Sequence, residues 1–149
     1  GMYMREARLD IAKMVEDGYS CADGDIFQLL EIPANTLVLF AGAEVETAFN
    51  GTSPTVDIDF AAGDDIVDGG DVTSTGFLAQ GTNGQSMVVN TGAADTFTAH
   101  VTTTDTIDVK LIAGSADVTS GILRVIACCI DTGPRGGRAP TEVDRDLLA

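Results

Sequence analysis

Thr55-Val56-Asp57-Ile58-Asp59-Phe60 alternates apolar and acidic side chains, with Val56, Ile58 and Phe60 on one side and Asp57 and Asp59 on the other. Successive side chains of a strand point to opposite faces, so this is a strand buried on one face and wetted on the other. The pattern returns in Thr106-Ile107-Asp108-Val109-Lys110-Leu111-Ile112-Ala113. There Ile107, Val109, Leu111 and Ala113 are expected to face in, and Asp108 and Lys110 to face out. Between them the chain offers further short strands divided by turn residues.

Upstream, residues 9–15 put Leu9, Ile11 and Val15 on one side of a strand, with a short helix as the competing reading. A turn at Ala22-Asp23-Gly24 precedes a strand over residues 25–32, which Pro33-Ala34-Asn35 ends. Residues 36–49 form a long strand. Its first half (Leu37-Val38-Leu39-Phe40) is apolar on both sides, its second half alternates (Glu44-Val45-Glu46-Thr47), and Gly42 at the change marks an expected bulge. Asn50-Gly51 then predicts a hairpin into residues 55–60. Residues 62–75, rich in Asp and Gly, are the least regular part. Shorter strands are expected at 76–79, 86–90 and 96–101, and a last one at 122–130, apolar on both sides except for Arg124. No period of 3.6 is sustained. Eight or nine short strands predict an all-β, antiparallel sandwich, jelly-roll-like, over residues 1–131, with extended arms at both termini. Residues 132–149, which carry Gly, Pro and Arg, read as a tail.

Charge excludes more than it suggests. From Met14 through Val109 there is no lysine or arginine, while sixteen aspartates and glutamates fall in the same 96 residues; the net charge is -15. A nucleic-acid surface needs clustered cations to displace phosphate counterions, and an anionic membrane needs them too. Neither partner is expected. A mean hydropathy of +0.18 argues against the disorder that such a charge would otherwise suggest. No apolar run approaches the roughly 18 residues of a membrane span, and no signal peptide is legible. Gly1 before Met2 reads as a remnant of tag cleavage. Three cysteines, two of them adjacent (Cys128-Cys129), read as buried free thiols, although a bridge from Cys21 to one of them is conceivable. Assembly in a reducing cytoplasm is the expectation.

Catalysis finds little to stand on, and no enzyme is expected. His100 is the single histidine and sits among threonines. The sequence holds no Gly-x-Ser-x-Gly elbow, no phosphate-cradling glycine loop and no set of zinc ligands at usual spacing. Trp is absent, which counts against a sugar-stacking platform. The acidic segment has the most chemical content: Asp57, Asp59, Asp64, Asp65, Asp68 and Asp71 are oxygen donors near a Gly-rich loop, a calcium candidate set beside the plainer reading of a solvated acidic loop. Arg124, alone in an apolar strand, requires a carboxylate across the sheet or in another subunit, unless a strand end carries it to solvent.

The succession of features resembles small virion structural proteins of tailed bacteriophages, in particular head decoration or cement proteins. The elements that carry the likeness are Gly24-Asp25-Ile26, Glu31-Ile32-Pro33-Ala34-Asn35-Thr36-Leu37-Val38, Val45-Glu46-Thr47-Ala48, Thr55-Val56-Asp57-Ile58-Asp59, Asp105-Thr106-Ile107-Asp108-Val109 and residues 121–130. They span roughly residues 9–131. The resemblance implies a virion location and a non-enzymatic sandwich subunit, a homotrimer that clamps the major capsid protein lattice. Arg5, Arg8, Arg135 and Arg138, on basic terminal arms, would then pair with acids of that lattice. The competing class is a sandwich binding module for a carbohydrate or receptor, associated with a tail or fibre.

Overall fold

The computed structural model describes residues 1–61, 63–79 and 99–133. Nine strands and one short helix are found among them: β1 (Met2–Asp10), α1 (Ile11–Glu16), β2 (Ile26–Ile32), β3 (Thr36–Thr47), β4 (Thr55–Asp59), β5 (Val67–Asp71), β6 (Gly76–Ala79), β7 (Ala99–Val101), β8 (Asp105–Ile112) and β9 (Ile122–Asp131). All pairings are antiparallel. One sheet runs β1-β9-β3-β6, with β7 also paired to β3; the other runs β2-β8-β4-β5. The two pack as the expected sandwich.

The inward faces follow the alternation. Val56 and Ile58 of β4 are fully buried, as are Ile107, Val109, Leu111 and Ala113 from β8 onward. Ala41, Ala43 and Val45 of β3 meet Leu123, Val125, Ala127 and Cys129 of β9 in the same core. Asp108 departs from its expected place: it is buried, and its carboxylate accepts a 2.7 Å hydrogen bond from Thr106 Oγ1. A buried acid is tolerated where such bonds replace water.

Several local readings are corrected. The expected strand over residues 9–15 breaks at Asp10, whose carboxylate caps α1 by accepting from Lys13 N. Ile11, buried, and Met14, packed against the core one helical turn later, then win over the strand reading. The supposed N-terminal arm is β1, paired with β9 along its whole length. Gly42 holds regular register opposite Ile126; the irregularities lie between Val38 and Phe40 and between Val45 and Thr47. Asn50-Gly51 closes no hairpin, because β3 and β4 belong to different sheets. There the Asn50 side chain is a clamp. Its Oδ1 accepts from Thr119 N (2.9 Å) and Ser120 N (3.1 Å), and its Nδ2 donates to Thr119 Oγ1 (2.7 Å). The hairpin is β4–β5 instead, so part of the segment read as irregular is a strand. Asp and Gly are poor strand formers, which hid it; the Asp57 carboxylate fastens it by accepting from Gly69 N at 2.8 Å. The strand expected at 86–90 and the tail from 134 lie outside the described residues.

Gly121, just before β9, has φ +137, and a Cβ there would stand 2.3 Å from Phe49 Cδ1 and 2.9 Å from the Phe49 backbone. Gly24 has φ +85 with nothing near it. Gly121→Ala is therefore expected to lower the unfolding free energy by at least about 2 kcal/mol. Gly24→Ala should cost roughly 1 kcal/mol, from backbone strain alone. Urea unfolding of the two variants measures the difference; equal losses would mean that Phe49 yields freely.

Candidate functional site

β1 runs beside β9 from Met2 opposite Ile130 to Asp10 opposite Ile122, without a register shift. Alternation sends Tyr3, Arg5, Ala7 and Leu9 toward the core side and Met2, Met4, Glu6 and Arg8 to the outer face. Leu9 is buried, and Tyr3 and Ala7 pack against the core. On the outer face β9 contributes Arg124, opposite Arg8 on one side and Glu44 on the other.

Two arginines directly opposite one another would repel, and three carboxylates are interleaved with them. Arg8 grips Glu46 through Nε–Oε2 at 2.7 Å and Nη2–Oε1 at 2.9 Å. Arg124 donates from Nη1 to Glu6 Oε2 at 2.9 Å and from Nη2 to Glu44 Oε2, while its Nε lies 3.3 Å from Glu46 Oε1. The expected partner of Arg124 is thus found across the sheet in the same chain. Hydrogen bonding to Glu46 raises the Arg8 guanidinium, and bonding first to Glu44 and then to Glu6 raises that of Arg124. The Arg8 hydrogen bond holds the Glu46 carboxyl below the usual range. Exposed pairs of this kind add little stability. Their larger effect is local: they nearly neutralise one patch of a strongly anionic body.

Beyond the network the same face turns apolar. Met2 is 67% and Met4 56% exposed, and Ile126 and Ile130 of β9 and Leu37 of β3 are half-buried beside them. Phe77, 66% exposed, stands on β6 opposite Glu44. Sequence reading missed this surface. Met2-Tyr3-Met4 is apolar on both sides, and only pairing with β9 reveals that one side is left uncovered among the described residues.

Of the expected docking cations, Arg8 is exposed but engaged with Glu46, and Arg5 points to the inner side, where its buried Nε has no hydrogen-bond partner among the described residues. Arg135 and Arg138 lie outside the described residues. The calcium candidates are dispersed among bonds of their own. Asp57 serves Gly69, Asp59 accepts from Phe60 N at 2.7 Å, and Asp71 accepts from Thr73 N and Oγ1 at 2.8 and 2.6 Å. Burial pushes the Asp59 carboxyl up, with the charges of Asp65 and Asp64 adding to it; the bonds from Thr73 hold Asp71 down. Asp64 and Asp65 are exposed and Asp68 half-buried. Among the described residues no three His, Cys, Asp or Glu side chains converge as a metal site.

His100 on β7 lies 3.0 Å from Thr132 Oγ1, which in turn donates to Asn35 O, a tie between strand ends. All three cysteines are unbridged and buried. Burial pushes the thiols of Cys21 and Cys129 up, away from nucleophilic use. Two open hollows of about 510 and 280 Å³ flank Tyr19, beyond α1, which is 62% exposed.

No protein-family model and no curated protein matches this chain. Among solved structures, it is similar to a chain of the acid-stable capsid structure of Helicobacter pylori bacteriophage KHP30. Identity is 15%, the match covers 87% of this chain and 90% of that one, and the TM-score is 0.44.

Two measurements check the electrostatics. Glu46 has a folded pKa below its unfolded value, so its contribution is complete above the unfolded value of about 4.3 and disappears as pH falls through the folded one. Arg8→Ala should therefore lower the melting temperature at pH 7 and lose that difference toward pH 3; an unchanged gap at both pH values would contradict the assignment. Because Asp57, Asp59 and Asp71 are already bonded within the chain, the melting temperature should be the same in millimolar calcium as in EDTA. A rise of several degrees with calcium would show that the acidic loop gathers a cation after all.

Proposed function

We propose that this chain is a structural subunit of a tailed-phage virion, a capsid decoration or stabilising protein that acts as a small homo-oligomer, by resemblance a trimer. The observation that carries the reading is the division of its surface. Most of the sandwich is anionic, while four of the five described cations lie on and around β1 and β9, where Arg8 and Arg124 are neutralised and methionines stand exposed. An anionic exterior keeps such a subunit soluble and away from packaged nucleic acid. One face with low charge and uncovered apolar side chains supplies a surface for assembly. The strand order described by Gly24-Asp25-Ile26 through residues 121–130, by which the sequence resembles head decoration proteins, supports the same class. Arg135 and Arg138 are the cations proposed to reach acids of the major capsid protein lattice.

The test is reconstitution. The protein should bind shells assembled from the major capsid protein encoded in the same gene neighbourhood, and raise the temperature at which those shells disrupt. Arg135→Ala with Arg138→Ala should weaken that binding and flatten its dependence on salt. Shells that neither bind the protein nor gain stability from it would overturn the proposal.

A further inference from the structure

We propose that the outer face of the β1–β9–β3 sheet is where a second copy of this chain docks, with Met2, Met4, Ile126 and Ile130 at the contact; this rests on the reading of the chain as a self-assembling subunit. Charge decides between surfaces. Two copies at -15 each repel, and at physiological salt the repulsion acts over roughly 8 Å. It is weakest where acids are neutralised. Of the five described basic side chains, Arg5 and Arg8 are on β1, Lys13 follows on α1 and Arg124 is on β9. Lys110 alone belongs to the other sheet, opposite Asp57. A second copy therefore meets the least opposition across the β1–β9 face. A cationic partner would be drawn to the remaining surface instead.

The same face carries the apolar side chains that contact requires. Met2 and Met4 are more than half exposed, and the adjoining Ile126 and Ile130 are half-buried on either side of a buried Cys128. Methionine packs readily against irregular partners. The mode of contact also follows. Among the described strands β1 ends its sheet, and an unguarded edge invites strand addition from another chain. Arg5, an inward-pointing charge on that edge, is a guard against such addition. The copies therefore meet through this face and not by strand addition at the edge, with the methionine end of the sheet turned toward the symmetry axis.

Light scattering and sedimentation of the full chain test this. The wild-type protein should be oligomeric at micromolar concentration, and its association should strengthen as salt rises, because salt screens net repulsion. Met2→Glu with Met4→Glu should raise the dissociation constant by roughly a hundredfold or more, since each copy then brings two desolvated carboxylates to the contact. Met2→Ser with Met4→Ser, which adds no charge, should weaken association less and serves if the glutamates disturb folding, as circular dichroism would show. Tyr19→Ser, at the far end of the sandwich, should leave association unchanged. Oligomers that ignore both methionine variants, or that Tyr19→Ser dissociates, would overturn this surface while leaving the virion reading intact. A wild-type chain that stays monomeric at all concentrations would overturn both.

Discussion

Strand β9 is hydrogen-bonded on both sides along its length, to β1 and to β3, and the rest of its sheet takes its register from it. Its inward side chains, Leu123, Val125, Ala127 and Cys129, are fully buried. They pack with the inward side chains of the opposing sheet in one core. Its outward row carries one charge, Arg124, and a one-residue slip would send that guanidinium into the core. The carboxylates of Glu6 and Glu44 wait on either side only in the native register. A charge that adds little to stability can thus add much to uniqueness of pairing.

Where one face is dry and the other wet, the sequence was legible. Strands β4 and β8 were read with their inward residues correctly assigned because alternation alone specifies them. Legibility failed where a local signal had a second use. Asn-Gly commonly closes a hairpin, but Asn50 spends its side chain on Thr119 and Ser120, nearly seventy residues away, so the chain crosses between sheets. The Asp-Gly segment from Val67 to Asp71 has Val67 as its single strand former and is a strand because β4 lies beside it. Asp10 stops one strand and starts a helix, a role that its neighbours Leu9 and Ile11 do not announce. Of the surface assigned to function, Arg8 was named from sequence, but its Glu46 partner and the exposed methionines needed the fold.

The uneven placement of basic residues, first visible as an exclusion of nucleic acid and lipid, acquires a spatial meaning. The chain's first and last described strands are neighbours, so basic residues far apart in sequence become one patch. Among the described residues, the acidic surface is nearly neutralised in the region around Arg8 and Arg124. Such an arrangement favours a single mode of association over many.

The crossing of the chain between sheets has a further consequence for how this protein is made. Apart from β4–β5, consecutive described strands rarely pair, and β1 must wait for β9, more than a hundred residues later, before it has a partner. Closing so large a loop is slow relative to local hairpins. During synthesis the sheet that bears the exposed methionines is therefore the last part to exist. Mutual repulsion of the emerging acidic segment keeps growing chains apart in that interval. The proposed docking face can therefore form only once β9 has been made, a timing built into connectivity rather than into any regulatory residue.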